Sequence, residues 1–269
     1  MTNKLEGYGK EERKVIEMSQ TKKNTQTIDY RKYRLNPGEF LTGLFLGMMI
    51  SAAISFLFFW NWKISAILAI PGGIYGVKIY RDKLQDKRNR KLLLQFRDFL
   101  EGMDGALSSG NVVFEAFKNC YRQLCNTYGE DAYISLEVER MIRGTVNGQQ
   151  IMDLMNDFAM RSGLEDIKSF VDVFDVTVHM GGNVKDAVSY SRKTIGEKIE
   201  AEMNIKTKLA AGKQELMIMM VLPLIVLVMS GDNFTGMAGN TTFFIVKCVV
   251  MIMYITAYVL GRRLLNVKV

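Results

Sequence analysis

Few residues in this chain of 269 stand where they could do chemistry. Carboxylates pair at helical spacing at Asp153 and Asp157, and again at Asp172 and Asp175. Two carboxyls held together can divide acid and base roles between them. The same spacing also places them on the solvated face of a polar helix, which is the reading favoured here. His179 is the one histidine, too few for a histidine metal cluster, and reads as a surface or capping residue. Cys120, Cys125 and Cys248 make neither a metal spacing nor a disulfide framework, and read as reduced packing residues. Gly212-Lys213 resembles the end of a phosphate-binding loop, but Thr207 stands where that loop needs glycine and Gln214 follows the lysine. The expectation is a chain that is not an enzyme, with no cofactor and no metal.

Lys247 is different, because it interrupts an apolar run. A lysine inside a membrane span is a functional residue by default. This one lies near one end of the run, so it can snorkel outward or meet a polar neighbour such as Asp232.

The apolar residues, 48 % of the chain, pile up in two blocks. Leu41–Trp60 is an uncharged run of 20 residues, about 30 Å of helix and one hydrocarbon thickness. Asn61 and Trp62 turn the chain, and Ile64–Val77, with Pro71, runs back between Lys63 and Lys78. Trp60 and Trp62 suit an interfacial aromatic belt. A third run, Leu216–Ser230 with Pro223, extends back through Leu209–Gly212; a fourth is Phe243–Gly261. Four spans in two hairpins are expected.

Basic residues crowd Tyr30–Arg34, Tyr80–Lys91 and Gly261–Lys268, whereas Ser230–Thr242 has none. By the positive-inside rule both termini and the middle of the chain face the cytoplasm. Met1 leads into polar sequence, so no cleaved signal peptide is expected. Small residues recur every fourth place: Gly43, Gly47, Ser51 and Ser55 in the first run, Gly72 and Gly76 in the second, with Ser65, Ala69 and Gly73 beside them. Such rows let helix backbones approach closely in lipid.

Between the blocks lies a proline-free, helix-periodic region. Leu92, Phe96, Phe99, Met103, Ala106, Leu107 and Gly110 fall on one face; Ile167, Phe170, Val171, Phe174 and Val178 fall on another. The two stretches repeat each other at an offset of 71 residues, pairing Phe99 with Phe170, Met103 with Phe174, Gly110 with Gly181 and Ala116 with Ala187. Each copy reads helix, glycine, helix, with an alanine six residues after the glycine. Helices are expected at 91–109, 112–128, 130–146, 149–161, 164–180 and 183–212, the last able to continue into the third span. The fold class is all-α: two transmembrane hairpins flanking a cytoplasmic six-helix bundle built from two pseudo-repeated hairpins. The divisions are a polar cytoplasmic tail at 1–40, a hairpin at 41–80, a helical domain at 81–212, a hairpin at 213–261 and a cytoplasmic end at 262–269.

The turns Gly110 to Ala116, Gly148 to Leu154 and Gly181 to Ala187, with Leu222-Pro223 in the third span, resemble the type II secretion F domain family over about 41–265. The likeness is greatest to the platform proteins of the tight-adherence (Tad, Flp) pilus, TadB-like or TadC-like. General secretion F proteins carry two such domains and usually three spans; one domain and four spans match the Tad branch. The resemblance implies a non-enzymatic inner-membrane platform for pilus assembly or secretion. It also implies as partners a hexameric cytoplasmic secretion ATPase, a second platform subunit or a second copy, and pilin subunits within the lipid.

Nucleic acid is not an expected partner. The tail has nine Lys/Arg against six Asp/Glu and region 81–215 has 20 against 21, so the surplus sits at membrane flanks where anionic lipid accounts for it. Acids at Glu130, Asp131, Glu137, Glu139, Glu165 and Asp166 read as solvated faces ahead of a docking surface. A small transporter or channel would need charges like Lys247 facing a cavity. A membrane-anchored signalling adaptor would act through 91–200 with replaceable spans.

Overall fold

The computed structural model describes residues 28–31, 33, 35–59, 62–229 and 241–265. Outside the described residues lie the tail before Ile28, Lys32, Arg34, Trp60 and Asn61 (expected to form a turn), residues 230–240 with Asp232, the side chain of Lys247 and residues 266–269.

The described elements are α1 (Pro37–Phe59), α2 (Trp62–Ser108), α3 (Val113–Tyr128), α4 (Tyr133–Val146), α5 (Ile151–Ser162), α6 (Glu165–His179), α7 (Val184–Met229) and α8 (Thr241–Leu265). No strand occurs among the described residues. Pro37 opens α1, where a missing N–H costs nothing. The Glu39 carboxylate reaches back to accept from the Asn36 N–H at 3.0 Å, half of a capping box.

The largest departure from expectation is in α2. The expected second span and the helix expected at 91–109 are one helix of 47 residues. Nothing between Gly76 and Gly102 stops it: that stretch holds no glycine or proline and is rich in Lys, Arg, Gln and Leu, which propagate helices well. Likewise α7 runs 46 residues without a break, through Pro223. The helix expected from 130 begins only at Tyr133.

Among the described residues two helical stretches are long and apolar enough to cross a membrane, Pro37–Phe59 and Val184–Val226, with a shorter apolar stretch at Cys248–Gly261. Their most apolar windows are only 11 % and 0 % buried. A soluble protein's core helix would be covered; these display Phe45, Met49, Met217, Leu222 and Ile225 outward.

The chain divides into two compact units. The apolar unit is Arg34–Leu84 with Lys198–Val269; the aromatic unit is Met1–Tyr33 with Gln85–Glu197. In the aromatic unit Leu92, Phe96, Phe99 and Met103 of α2 are buried, as are Phe117, Val138, Met155, Phe158, Phe170 and Phe174. Phe96 sits at the centre, its ring 5.5 Å from Phe170, 5.8 Å from Phe99 and 6.3 Å from Phe158. Aromatic pairs at these separations add to what area burial alone supplies. Both copies of the repeat bury their matched rows, Phe99 with Phe170 and Met103 with Phe174, while Val178 is 40 % exposed where its partner Leu107 is half-buried. One helix cap is borrowed: α4 has no side-chain cap of its own, and the Ile134 N–H donates to Oε1 of the buried Gln95 on α2 at 3.4 Å.

Tyr30 belongs to this core. It is fully buried, although the sequence places it in a polar tail ending at residue 40.

Candidate functional site: a glycine seam, glycine turns and a buried ionic clamp

In the apolar unit, α1 and α2 meet along their small residues. A Cβ on Gly47 would lie 2.8 Å from the Gly72 carbonyl oxygen and 2.9 Å from Gly76 Cα; one on Gly76 would lie 2.7 Å from Gly47 Cα. These are backbone-to-backbone contacts that no side chain fits. Gly72 faces the Ser51 side chain, and Gly43 lies under the Tyr80 side chain. Ser65, which is buried, donates to the Ala52 carbonyl at 2.6 Å.

Pro71 and Pro223 sit inside helices, and hydroxyls from neighbouring helices attend them. Pro71 removes the N–H that Ile67 would use; one residue along, the Leu68 carbonyl accepts from Ser51 Oγ at 3.0 Å. Pro223 removes the partner of Met219; one residue along, the Met220 carbonyl accepts from the Tyr254 hydroxyl at 3.0 Å. Each hydroxyl thus bonds the carbonyl next to the one that the proline frees. Tyr254 of α8 also stands 5.9 Å from the Phe58 ring of α1.

In the aromatic unit the three motif glycines, Gly110, Gly148 and Gly181, end α2, α4 and α6 in the same way. Their φ values are +84°, +88° and +68°. After each, the next N–H closes a six-residue loop: Asn111 to the Ala106 carbonyl, Gln149 to Gly144 and Gly182 to Thr177. The glycine's own N–H bonds the carbonyl three residues back. This double bonding is the Schellman ending, which needs a left-handed residue. A Cβ on any of the three would meet nothing within 4 Å, so conformation demands glycine here, not space. Ala116 and Ala187, six residues on, are both buried.

The residues with chemical potential lie apart from one another. Asp157 pairs with Arg161 at 2.8 Å and Arg140 at 3.2 Å, while Asp153 is exposed beside a shallow cleft at Gly148–Gln150. Asp175 pairs with His179, which is 67 % exposed at the end of α6. Burial pushes the Cys120 thiol up to about 12, and Cys125 is raised for the same reason. A thiol so raised is a poor nucleophile. Among the described residues no group of His, Cys, Asp or Glu could hold a metal ion.

The strongest electrostatic feature is a clamp near Tyr30. Glu137 of α4, 4 % exposed, accepts from Arg161 of α5 twice, at 2.8 Å and 2.6 Å. The same carboxylate accepts from the Tyr30 hydroxyl at 3.1 Å. Burial pulls the Arg161 guanidinium down, but Glu137 and Asp157 outweigh it and leave it raised and charged. The Tyr30 phenol is raised well above its ordinary value, first by burial and then by the Glu137 charge.

No family model, curated protein or solved structure matches the chain. The family resemblance therefore rests on the order and spacing of its own motifs.

Sequence reasoning missed Tyr30, Glu137 and Arg161. Tyr30 stood in a basic run read as a membrane flank, and Glu137 in a set of acids read as solvated. The available signal was Arg161 just ahead of the Ser162-Gly163 helix stop, a cation placed where a helix C-terminus favours it.

Proposed function

We propose that the chain is a non-enzymatic inner-membrane platform of a Tad or type IV-like pilus, or of a type II secretion machine. In this reading α1, the start of α2, the end of α7 and α8 are four spans in two hairpins. The aromatic unit is a cytoplasmic six-helix bundle, and both termini face the cytoplasm. A hexameric secretion ATPase acts on the bundle, the spans guide pilin subunits out of the lipid, and a second platform subunit or copy completes the base.

One observation carries the reading: α2 and α7 each run unbroken from an apolar stretch into the aromatic unit. A continuous helix has no loop in which to dissipate a push, so movement at one end is felt at the other. The Schellman turns and aromatic core supply a stiff body for a partner to push on. Energy comes from the partner.

The test is purification of the tagged full-length protein from native membranes. A secretion ATPase and a second platform subunit are expected to accompany it. Recovery of neither overturns the proposal.

A further inference from the structure

Residues 28–31 and 33 lie outside any helix, yet they are held at many points. The Tyr30 N–H donates to the Arg161 carbonyl at 3.0 Å. Arg161 Nη1 donates to the Ile28 carbonyl at 2.9 Å, Arg88 Nη2 to the Tyr30 carbonyl at 2.7 Å, and Gln85 Nε2 to the Arg31 carbonyl at 2.7 Å. One side chain goes in. The Tyr30 ring stands edge-on to Tyr133 at 5.8 Å and to Phe158 at 6.5 Å, with the Arg88 guanidinium 5.7 Å from its centre. Its hydroxyl donates to Glu137. Asp29 and Arg31 on either side are exposed.

That is how a receptor holds an extended peptide: main-chain groups are caught along its length and one anchor fills a pocket. Glu137 is also held by Arg161, at 2.8 Å and 2.6 Å, so the tyrosine hydroxyl meets a carboxylate that already has a charged partner.

We propose that this pocket is a tyrosine-recognition site. Its resident ligand is the chain's own Ile28–Tyr33 segment, which acts as a latch fastening the N-terminal region to the helical unit.

The test uses the full chain in detergent and a fluorescently labelled hexapeptide, IDYRKY. The Tyr30→Ala chain, its pocket empty, should bind the peptide at least tenfold more tightly than the wild-type chain. Phenylalanine in place of the peptide's first tyrosine should weaken binding roughly 10- to 100-fold, the value of one hydrogen bond to a charged group. Equal binding to both chains, or none to the Tyr30→Ala chain, overturns the proposal. Should Tyr30→Ala fail to fold, the Tyr30→Phe chain decides by hydrogen exchange. Exchange at the backbone amide of position 30 should then speed up roughly tenfold while α3 stays unchanged; equal change in both, or none, overturns it.

Discussion

The two units solve the same problem, holding helices together, with opposite means. In the aromatic unit large rings fill the space between helices, and a buried ion pair is tolerated because each charge meets its partner. In the apolar unit the residues at the α1–α2 contact are the smallest available, while the large apolar ones point outward. The difference teaches what surrounds each. Water rewards burying rings; lipid does not, since its tails are as apolar as leucine. In the apolar unit, close backbone contact and hydroxyls on carbonyls beside the prolines take over. Glycine itself changes meaning across the molecule: at Gly47 and Gly76 it makes room, whereas at Gly110, Gly148 and Gly181 it supplies a left-handed turn in open space.

Substitutions can break this contrast or sharpen it. The largest effect is expected at the clamp. Arg161→Ala leaves Glu137 buried and unpaired and should cost about 3–5 kcal/mol of aromatic-unit stability, read as a fall in the unfolding midpoint in detergent. A loss below 1 kcal/mol would mean that the carboxylate finds water. Next is the seam: Gly47→Leu drives a side chain into the α2 backbone and should cost about 1–3 kcal/mol. That loss should be measurable by steric trapping of the apolar unit, with the near-ultraviolet signal of the aromatic core unchanged. An aromatic core that responds equally would contradict the division of labour.

Alkaline pH gives a third effect. The Tyr30 phenol is raised in the folded chain from an ordinary value of 10.0. The unfolded chain therefore loses that proton first, so stability is whole below about pH 10 and falls as pH rises beyond it. One such group contributes a slope of about 1.4 kcal/mol per pH unit. Tyr30→Phe should flatten the alkaline limb by that amount, leaving the part due to Tyr121 and Tyr128, which are raised too. The smallest effect belongs to Tyr254→Phe, which strips one hydroxyl from the Met220 carbonyl. It should cost about 0.6 kcal/mol, the average for such bonds between membrane helices.

Much of this was legible in the residues. Period and glycine placement locate α3 to α6 within a few positions, because short polar loops with Gly110, Gly148, Gly163 and Gly181 leave few other places to stop. The small-residue rows announce a seam, since Gly47 and Gly76 have no use for their smallness unless something lies close. Two things were hidden. The continuity of α2 was masked by the charged run Tyr80–Lys91, which serves equally as a membrane flank and as a helix. The Tyr30 clamp was invisible because its partners lie 107 and about 131 residues away, and no local pattern links a tyrosine to a distant Glu–Arg pair.

The most direct measurement is the side of the membrane on which the helical unit stands. Reporter domains fused after residue 150 should be active only in the cytoplasm, and those fused at the 230–240 linker only outside. A fusion at residue 150 active on the outer side would contradict the account.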